Sequence, residues 1–478
     1  MVSSHALQFA IGLGSAMVVA RIVTPAEFGV FAMASVVLAI STGFGDFGVP
    51  MAIVNQRELE GEALDRVFWV NLALNAALAL LLCALGPAVA AFFDEPVLVP
   101  MTAALAASVL ILGVSAPQVG VLQREMNFGA VARLEVLGML GGALAAIGVA
   151  LAGGGVWALV AQQVVISVVQ ATLRWSACDW RPGPPRRGAS EGAGDIFRFS
   201  SYLTFSRLLM VLSRELDRVL VGRLAGATAL GLYHNANRWA LFPVRQLHFP
   251  LMGVAVASFS RLQDQPERYA RYARVSFLGF YSAVLPGLAF LAIEADDVLL
   301  LLLGPQWGEA VPMFRVLLAG AAFFALDRLC KWIFLAEGRT RDQFLWSLAA
   351  MPVTVGSLVI GAQWGALGVA VGFSAGFVFL APFASWFCLR PSTLSSGVLW
   401  HAAWRPAAAS ALGGLALFAA APAVHAPEWT LVRVTLGLAV FLSVYGLAWV
   451  LLPGGRAVGG ELLGVLRRLR AGDPVDEA

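Results

Sequence analysis

The chain has 478 residues, 59% of them hydrophobic and 13% charged, with a formal net charge of +3 and a mean hydropathy of +0.79. Soluble domains run nearer roughly 45–50% apolar and about 25% charged, so the composition excludes a soluble domain and identifies a polytopic membrane protein. Every basic residue but Lys331 is arginine, and Cys83, Cys178, Cys330 and Cys388 sit in or beside apolar segments without metal-ligand spacing. The cysteines are therefore read as reduced packing residues, and no metal, cofactor or nucleic-acid partner is expected.

Apolar runs of about 20 residues, the length that crosses the hydrocarbon core, succeed one another along the chain. The first, 6–23, lacks a basic n-region and is closed by Arg21, which reads as a membrane helix rather than a cleaved signal. Runs follow at 28–54, 67–93, 97–122, 134–151 and 156–173. A segment rich in proline, glycine and arginine, 174–199, then reads as a linker. Runs resume at 200–224, 230–259, 275–293, 311–335, 344–362 and 366–387, and two more lie at 403–423 and 429–452. About fourteen crossings result by the hydropathy criterion. The expected organisation is an all-α membrane protein with six-helix lobes at 1–173 and 200–390, the linker 174–199 between them, a helix pair at 391–452 and a tail at 453–478.

Alternate connections differ in arginine content. With the N-terminus inside, the inner loops carry Arg57, Arg66, Arg124, Arg133, the linker arginines, Arg261, Arg268, Arg271, Arg274, Arg339, Arg341, Arg390 and Arg405, and the tail carries Arg456, Arg467, Arg468 and Arg470. The opposite loops are short and nearly free of base, Arg21 and Arg223 being the exceptions. This positive-inside asymmetry puts both termini in the cytoplasm. Trp180, Trp307 and Trp429, near helix ends, are read as interfacial anchors.

The two sets of six also resemble each other. Ala20-Arg21-Ile22-Val23 and Phe28-Gly29-Val30-Phe31 match Gly222-Arg223-Leu224-Ala225 and Leu230-Gly231-Leu232-Tyr233 at one offset, since 223 − 21 and 231 − 29 both equal 202. Gly155 to Val160 resembles Gly365 to Ala370 at the slightly larger offset 365 − 155 = 210. An even number of crossings per copy makes this a parallel repeat about an axis along the membrane normal, an arrangement in which transporters bind substrate between halves and alternate access.

Around Arg214 to Arg245, arginines, carboxylates and asparagines interrupt a sequence that otherwise reads as lipid-embedded helix. Charges at membrane depth are expensive and mark a pathway or a partner. Arg207, Arg214 and Arg218, at spacings of seven and four, share one face of the seventh helix, and His234, Arg238 and Arg245 follow on the eighth. Arginine's planar fork suits phosphate oxygens, so these six residues are the expected anion-binding set. The structural alternative pairs Arg214 with Asp217 and Glu215 with Arg218 at i,i+3, or lets these groups snorkel to an interface. Asp46, in a glycine-broken helix, is read as a polar residue ahead of a coupling carboxylate, and Asp327, Arg328 and Lys331 as a local charge cluster with a substrate role as the alternative.

Three patches carry a family resemblance: A-R-I-V-T-P-A-E-F-G-V-F-A-M-A from Ala20, G-F-G-D-F-G-V-P-M-A-I-V-N-Q from Gly43, and L-D-R-V-L-V-G-R-L-A-G-A-T-A-L-G-L-Y-H-N-A-N-R from Leu216. With V-F-W-V-N-L after Arg66, F-P-V-R-Q and S-F-S-R-L-Q-D-Q-P-E-R-Y, they resemble the bacterial polysaccharide repeat-unit flippases, Wzx-like members of the MOP superfamily that also contains the multidrug-extruding MATE transporters. The resemblance runs from Met1 to about Phe387. It implies translocation of an undecaprenyl-pyrophosphate-linked oligosaccharide across the bacterial cytoplasmic membrane by alternating access, with membrane lipids and a polysaccharide polymerase as further partners. Family members usually carry a short basic lead before the first helix, and its absence here implies a start that is late. A multidrug or small-solute antiporter of the same fold is the alternative, and a membrane glycosyltransferase or polymerase using Glu27, Asp296 or Asp297 a more distant one. No G-x-x-x-x-G-K-[ST] phosphate loop and no H-E-x-x-H occurs, so no enzymatic function is expected.

Overall fold

The computed structural model describes residues 2–45, 49–55, 61–184 and 193–453, with 2–6, 40–45, 51–52, 55, 61 and 193–214 described by their backbone alone. Among the described residues the secondary structure is helical throughout. In chain order the helices are α1 (Val2–Ile22), α2 (Pro25–Gly45), α3 (Val49–Asn55), α4 (Gly61–Phe93), α5 (Leu98–Val114), α6 (Ala116–Arg124), α7 (Phe128–Leu151), α8 (Trp157–Ala177) and α9 (Ala193–Ala240). They continue as α10 (Phe242–Arg261), α11 (Pro266–Ile293), α12 (Ala295–Leu302), a 3-10 turn (Pro305–Ala310), α13 (Val311–Ala336), α14 (Thr340–Ala362), α15 (Gly365–Leu389), α16 (Val398–Val424) and α17 (Thr430–Leu451).

Among the described residues the apolar runs of the sequence fall on helices, interrupted at Ser115 and Leu241, but nine helices are long and apolar enough on their own to cross a membrane, or ten when the bent pair at Leu241 counts as one span. α8 carries Gln162, Gln163, Gln170 and Arg174, which lower its hydropathy.

The chain divides into two compact units, Met1–His234 and Asn235–Ala478. The linker division of the sequence rests on internal similarity and this one on packing. In the first unit α7 lies on α8 and α1, and α5 on α4, α8 and α2. The α1–α2 turn is set by a capping box: the Thr24 backbone N–H donates to Glu27 Oε2 (2.8 Å) and the Glu27 N–H to Thr24 Oγ1 (3.4 Å).

The corresponding turn of the second repeat lies inside α9. Gly226 has φ 81° and ψ −179°, a conformation essentially restricted to glycine, and 226 − 24 is again 202. Tyr233 donates to Asp217 Oδ2 at 2.8 Å although 16 positions separate them. Sixteen residues of straight helix would span about 24 Å, so the chain folds back on itself at Gly226.

The two turns touch. A Cβ on Gly29 would stand 1.7 Å from the carbonyl oxygen of Ala227, and a Cβ on Gly231 1.8 Å from that of Pro25. Pro25 and Ala227 also differ by 202, so the contact is reciprocal: each copy presents the same glycine to the same carbonyl of the other. Such a self-complementary contact is what a local two-fold produces. Glycine is required at both positions because only a bare Cα lets the backbones approach this closely.

In the second unit α15 packs on α13 and α14, and α16 on α11 and α17. Aromatic rings fill the interior: Phe259 meets Tyr269 and Phe277 edge on, and Phe280 meets Trp332. Trp307, expected at the interface, is instead fully buried, because the 3-10 turn folds it inward. Trp429 is exposed. The terminal helices are clasped to the rest by charge. Glu294, at the α11–α12 junction, meets His425 Nε2 at 3.1 Å, and Arg433 of α17 donates to Asp297 Oδ1 at 2.9 Å. The four cysteines are free.

Candidate functional site

The polar stretch beginning at Glu215 resolves into a structural part and an exposed part. Asp217 is 6% exposed, and its Oδ2 accepts the Tyr233 hydroxyl across the Gly226 turn. Its neighbour Arg218 forms an ion pair with Glu215 at i,i+3, both side chains largely buried. This is the expected structural pairing for Glu215 and Arg218. For Asp217 the observed partner is Tyr233, and the expected Arg214 pairing falls on a side chain outside the described ones. Arg207 shares that position, and Asp46 lies outside the described residues.

Past the turn, the helix alternates sharply. Asn235 and Asn237 are buried and His234 is half-buried, whereas Arg238 is exposed, its guanidinium 5.6 Å from the Trp239 ring. The helix bends by 42° at Leu241, where Pro243 follows in the first turn of α10, and Arg245 is exposed just beyond the bend. A proline there removes a donor and leaves a carbonyl of the preceding turn free. The exposed cations of the expected set are therefore Arg238 and Arg245.

The α13 cluster is a second assembly. Asp327 Oδ2 accepts from Arg328 Nη2 at 2.7 Å and from Lys331 Nζ at 3.0 Å. Arg328 lies over the Phe324 ring at 4.4 Å. These residues line a cavity of about 150 Å³ bounded by α13, α14 and α15.

Sequence reading missed a buried polar network in the first unit. The α5–α6 break at Ser115 frees backbone groups, and Asn71 Nδ2 donates to the Gly113 carbonyl at 2.7 Å. Asn75 donates to the Asn71 side chain at 3.1 Å, and Arg174 to Ser115 Oγ at 3.2 Å and Gln170 Oε1 at 3.0 Å. The i,i+4 spacing of Asn71 and Asn75 in an apolar run was the available signal. Arg174 was masked by its place at the start of the linker.

The residues proposed for catalysis have structural duties: Glu27 caps α2, Asp296 pairs with Arg315, and Asp297 with Arg433.

Residues 18–312, more than half of the chain, match the family described as polysaccharide biosynthesis protein. The chain belongs to that family. Among its relatives, it is 23% identical over 374 residues to the lipopolysaccharide biosynthesis protein WzxC of Escherichia coli K12, covering 76% of this chain and 74% of that one. It is 28% identical over 358 residues to the succinoglycan biosynthesis transport protein ExoT of Rhizobium meliloti, covering 73% and 70%. Its fold is that of the lipid II flippase MurJ in an inward closed conformation, with a TM-score of 0.70 at 12% identity over 94% of this chain and 99% of that one. An inward-facing multidrug resistance MATE transporter of the MOP superfamily follows at 0.61 and 17%, over 80% and 94%. The fold is shared with these transporters, and the chain is a multi-pass membrane protein.

Proposed function

We propose that the protein translocates a lipid-linked polysaccharide repeat unit, carried on a polyprenyl pyrophosphate, across the cytoplasmic membrane by alternating access. The observation that carries this reading is family membership, with relatives named for polysaccharide biosynthesis and transport, joined to the fold of a lipid flippase. The physical argument runs with it. A pyrophosphate must cross a low-dielectric slab, and fixed guanidinium groups lower the cost of its charge. Arg238 and Arg245, with Arg207 and Arg214, are assigned to that task, and His234 to the same helix face. Arg218 is assigned to structure through Glu215. A multidrug antiporter would favour an uncharged aromatic cavity, against which the arginines of the second repeat count.

The orientation proposed has both termini and the 174–199 linker in the cytoplasm, by the arginine asymmetry. The lobes are 1–173 and 200–390, with 391–452 as an added pair, and a polysaccharide polymerase is the proposed partner. Complementation of a flippase-deficient strain, with membrane levels measured alongside, tests the reading. Arg245→Ala and Arg238→Ala are expected to reach normal levels and abolish export, and the lysine variants to keep part of it. Well-expressed alanine variants that export normally would sink the assignment of the pyrophosphate site.

A further inference from the structure

None of the residues that line the α13–α14–α15 cavity belongs to the Arg238–Arg245 stretch, and the cavity has a composition of its own. Two cations and one carboxylate line it, Arg328, Lys331 and Asp327, together with Trp346 and Thr354. Both cations already converge on a single oxyanion oxygen, Asp327 Oδ2. This shows that their donors can meet on one acceptor. Arg328 Nε is buried and has no hydrogen-bond partner, which is costly for a charged group's N–H unless something occupies the site. The residue choice points the same way. Lys331 is the one lysine of a chain otherwise supplied with arginine, and an ammonium can swing its donors between two acceptors where a planar fork cannot.

We infer that this cavity binds an oxyanion, a phosphate or a sugar carboxylate, through Arg328 and Lys331, with Asp327 as the internal anion that holds both cations when the site is empty. The ligand competes with Asp327 for the same donors. Arg328 Nε gains an acceptor, and Lys331 turns from the carboxylate towards the incoming anion. Trp346 supplies an apolar wall against which a sugar ring carrying the anion can stack. The cavity of about 150 Å³ admits one such group and not a whole oligosaccharide. The inference rests on the flippase reading only for the source of the anion, either the lipid pyrophosphate or an acidic sugar of the repeat unit.

The competition sets the sign of the test. Neutralising Asp327 should strengthen anion binding, whereas a purely structural ion pair would only be damaged by the same change. Full-length protein purified in detergent is titrated with sodium pyrophosphate and, separately, sodium glucuronate against sodium chloride at equal ionic strength, and the unfolding midpoint is followed. Both arms are expected to stabilise the wild type if the site takes any oxyanion, and one arm alone identifies its source. Asp327→Asn should tighten the apparent dissociation constant about tenfold, the order expected for one nearby unit charge. Lys331→Gln and Arg328→Gln should weaken it about tenfold. Reductive methylation of Lys331 in the wild type, followed by mass spectrometry, should be slowed by the same anions, and this arm needs no variant to fold. Unchanged methylation at saturating anion, or equal affinities in wild type, Asp327→Asn and Lys331→Gln, would overturn the inference. Translocation is not measured, so failure here is distinct from failure of the flippase reading.

Discussion

The reciprocal contact between the two turns offers the sharpest physical test. In Gly29→Ala the new methyl carbon would lie 1.7 Å from the Ala227 carbonyl oxygen, and ordinary contact begins at 3.4 Å, so the two backbones must part by 3.4 − 1.7 = 1.7 Å. In Gly231→Ala the same subtraction from 1.8 Å gives 1.6 Å. Neither obstacle is a side chain that can rotate away, so the upper part of the usual over-packing range of about 1–3 kcal/mol applies. For a cooperative unit of this size about 2–4 °C is lost per kcal/mol, so about 2–3 kcal/mol predicts a midpoint lowered by about 4–12 °C in either variant. Gly148→Ala is the control, because nothing lies within 4 Å of its added carbon, and it should leave the midpoint nearly unchanged. The double variant makes the test stricter. One parting of the helices relieves both clashes, so the second substitution should cost much less than the first. Single variants as stable as Gly148→Ala, or a double variant that is fully additive, would refute the local two-fold contact.

Other expectations follow from named contacts. Tyr233→Phe removes the hydroxyl that donates to buried Asp217 and should cost about 1–3 kcal/mol, read as a lowered midpoint. Arg218→Ala leaves Glu215 without its ion pair in a largely buried position and should cost about 3–5 kcal/mol, with poor membrane levels, whereas Arg245→Ala should express normally. Gly226→Ala forces a side chain into a glycine-only conformation at a cost of about 1–3 kcal/mol, visible as reduced yield. Asp179→Cys, on an exposed residue at the start of the linker, should resist labelling by impermeant reagents applied to intact cells, and efficient labelling would reverse the proposed topology.

Hydropathy located helix throughout the chain because burial in lipid acts on every residue of a run, and the signal accumulates. What it could not locate were the interruptions. The breaks at Ser115, Gly226 and Leu241 depend on one or two residues each, and a window of 20 averages them away. Gly226 was nonetheless recoverable, since the internal repeat aligns it with Thr24 beside the plainly marked T-P-A-E turn. Pairing was legible only where both partners lie on one helix face. Glu215 with Arg218 follows from spacing, but Asp217 with Tyr233 requires the fold-back between them, and Arg174 with Ser115 joins residues 59 positions apart. The α13 cluster was visible as charges at i, i+1 and i+4, whereas the cavity beside it depends on how α14 and α15 pack and has no local signature.

The aligned turns carry unequal contents. At the offset of 202, Tyr233 stands against Phe31, Asp217 against Ser15, His234 against Ala32 and Arg238 against Val36. A duplicated scaffold has thus been relieved of symmetry at its polar positions while keeping it at the glycines where the copies meet. At Gly29, Gly231 and the carbonyls they touch, drift in one copy is constrained by the other. Elsewhere each half has been free to specialise, and a chimera built from two first copies would retain the joint and lose the charges.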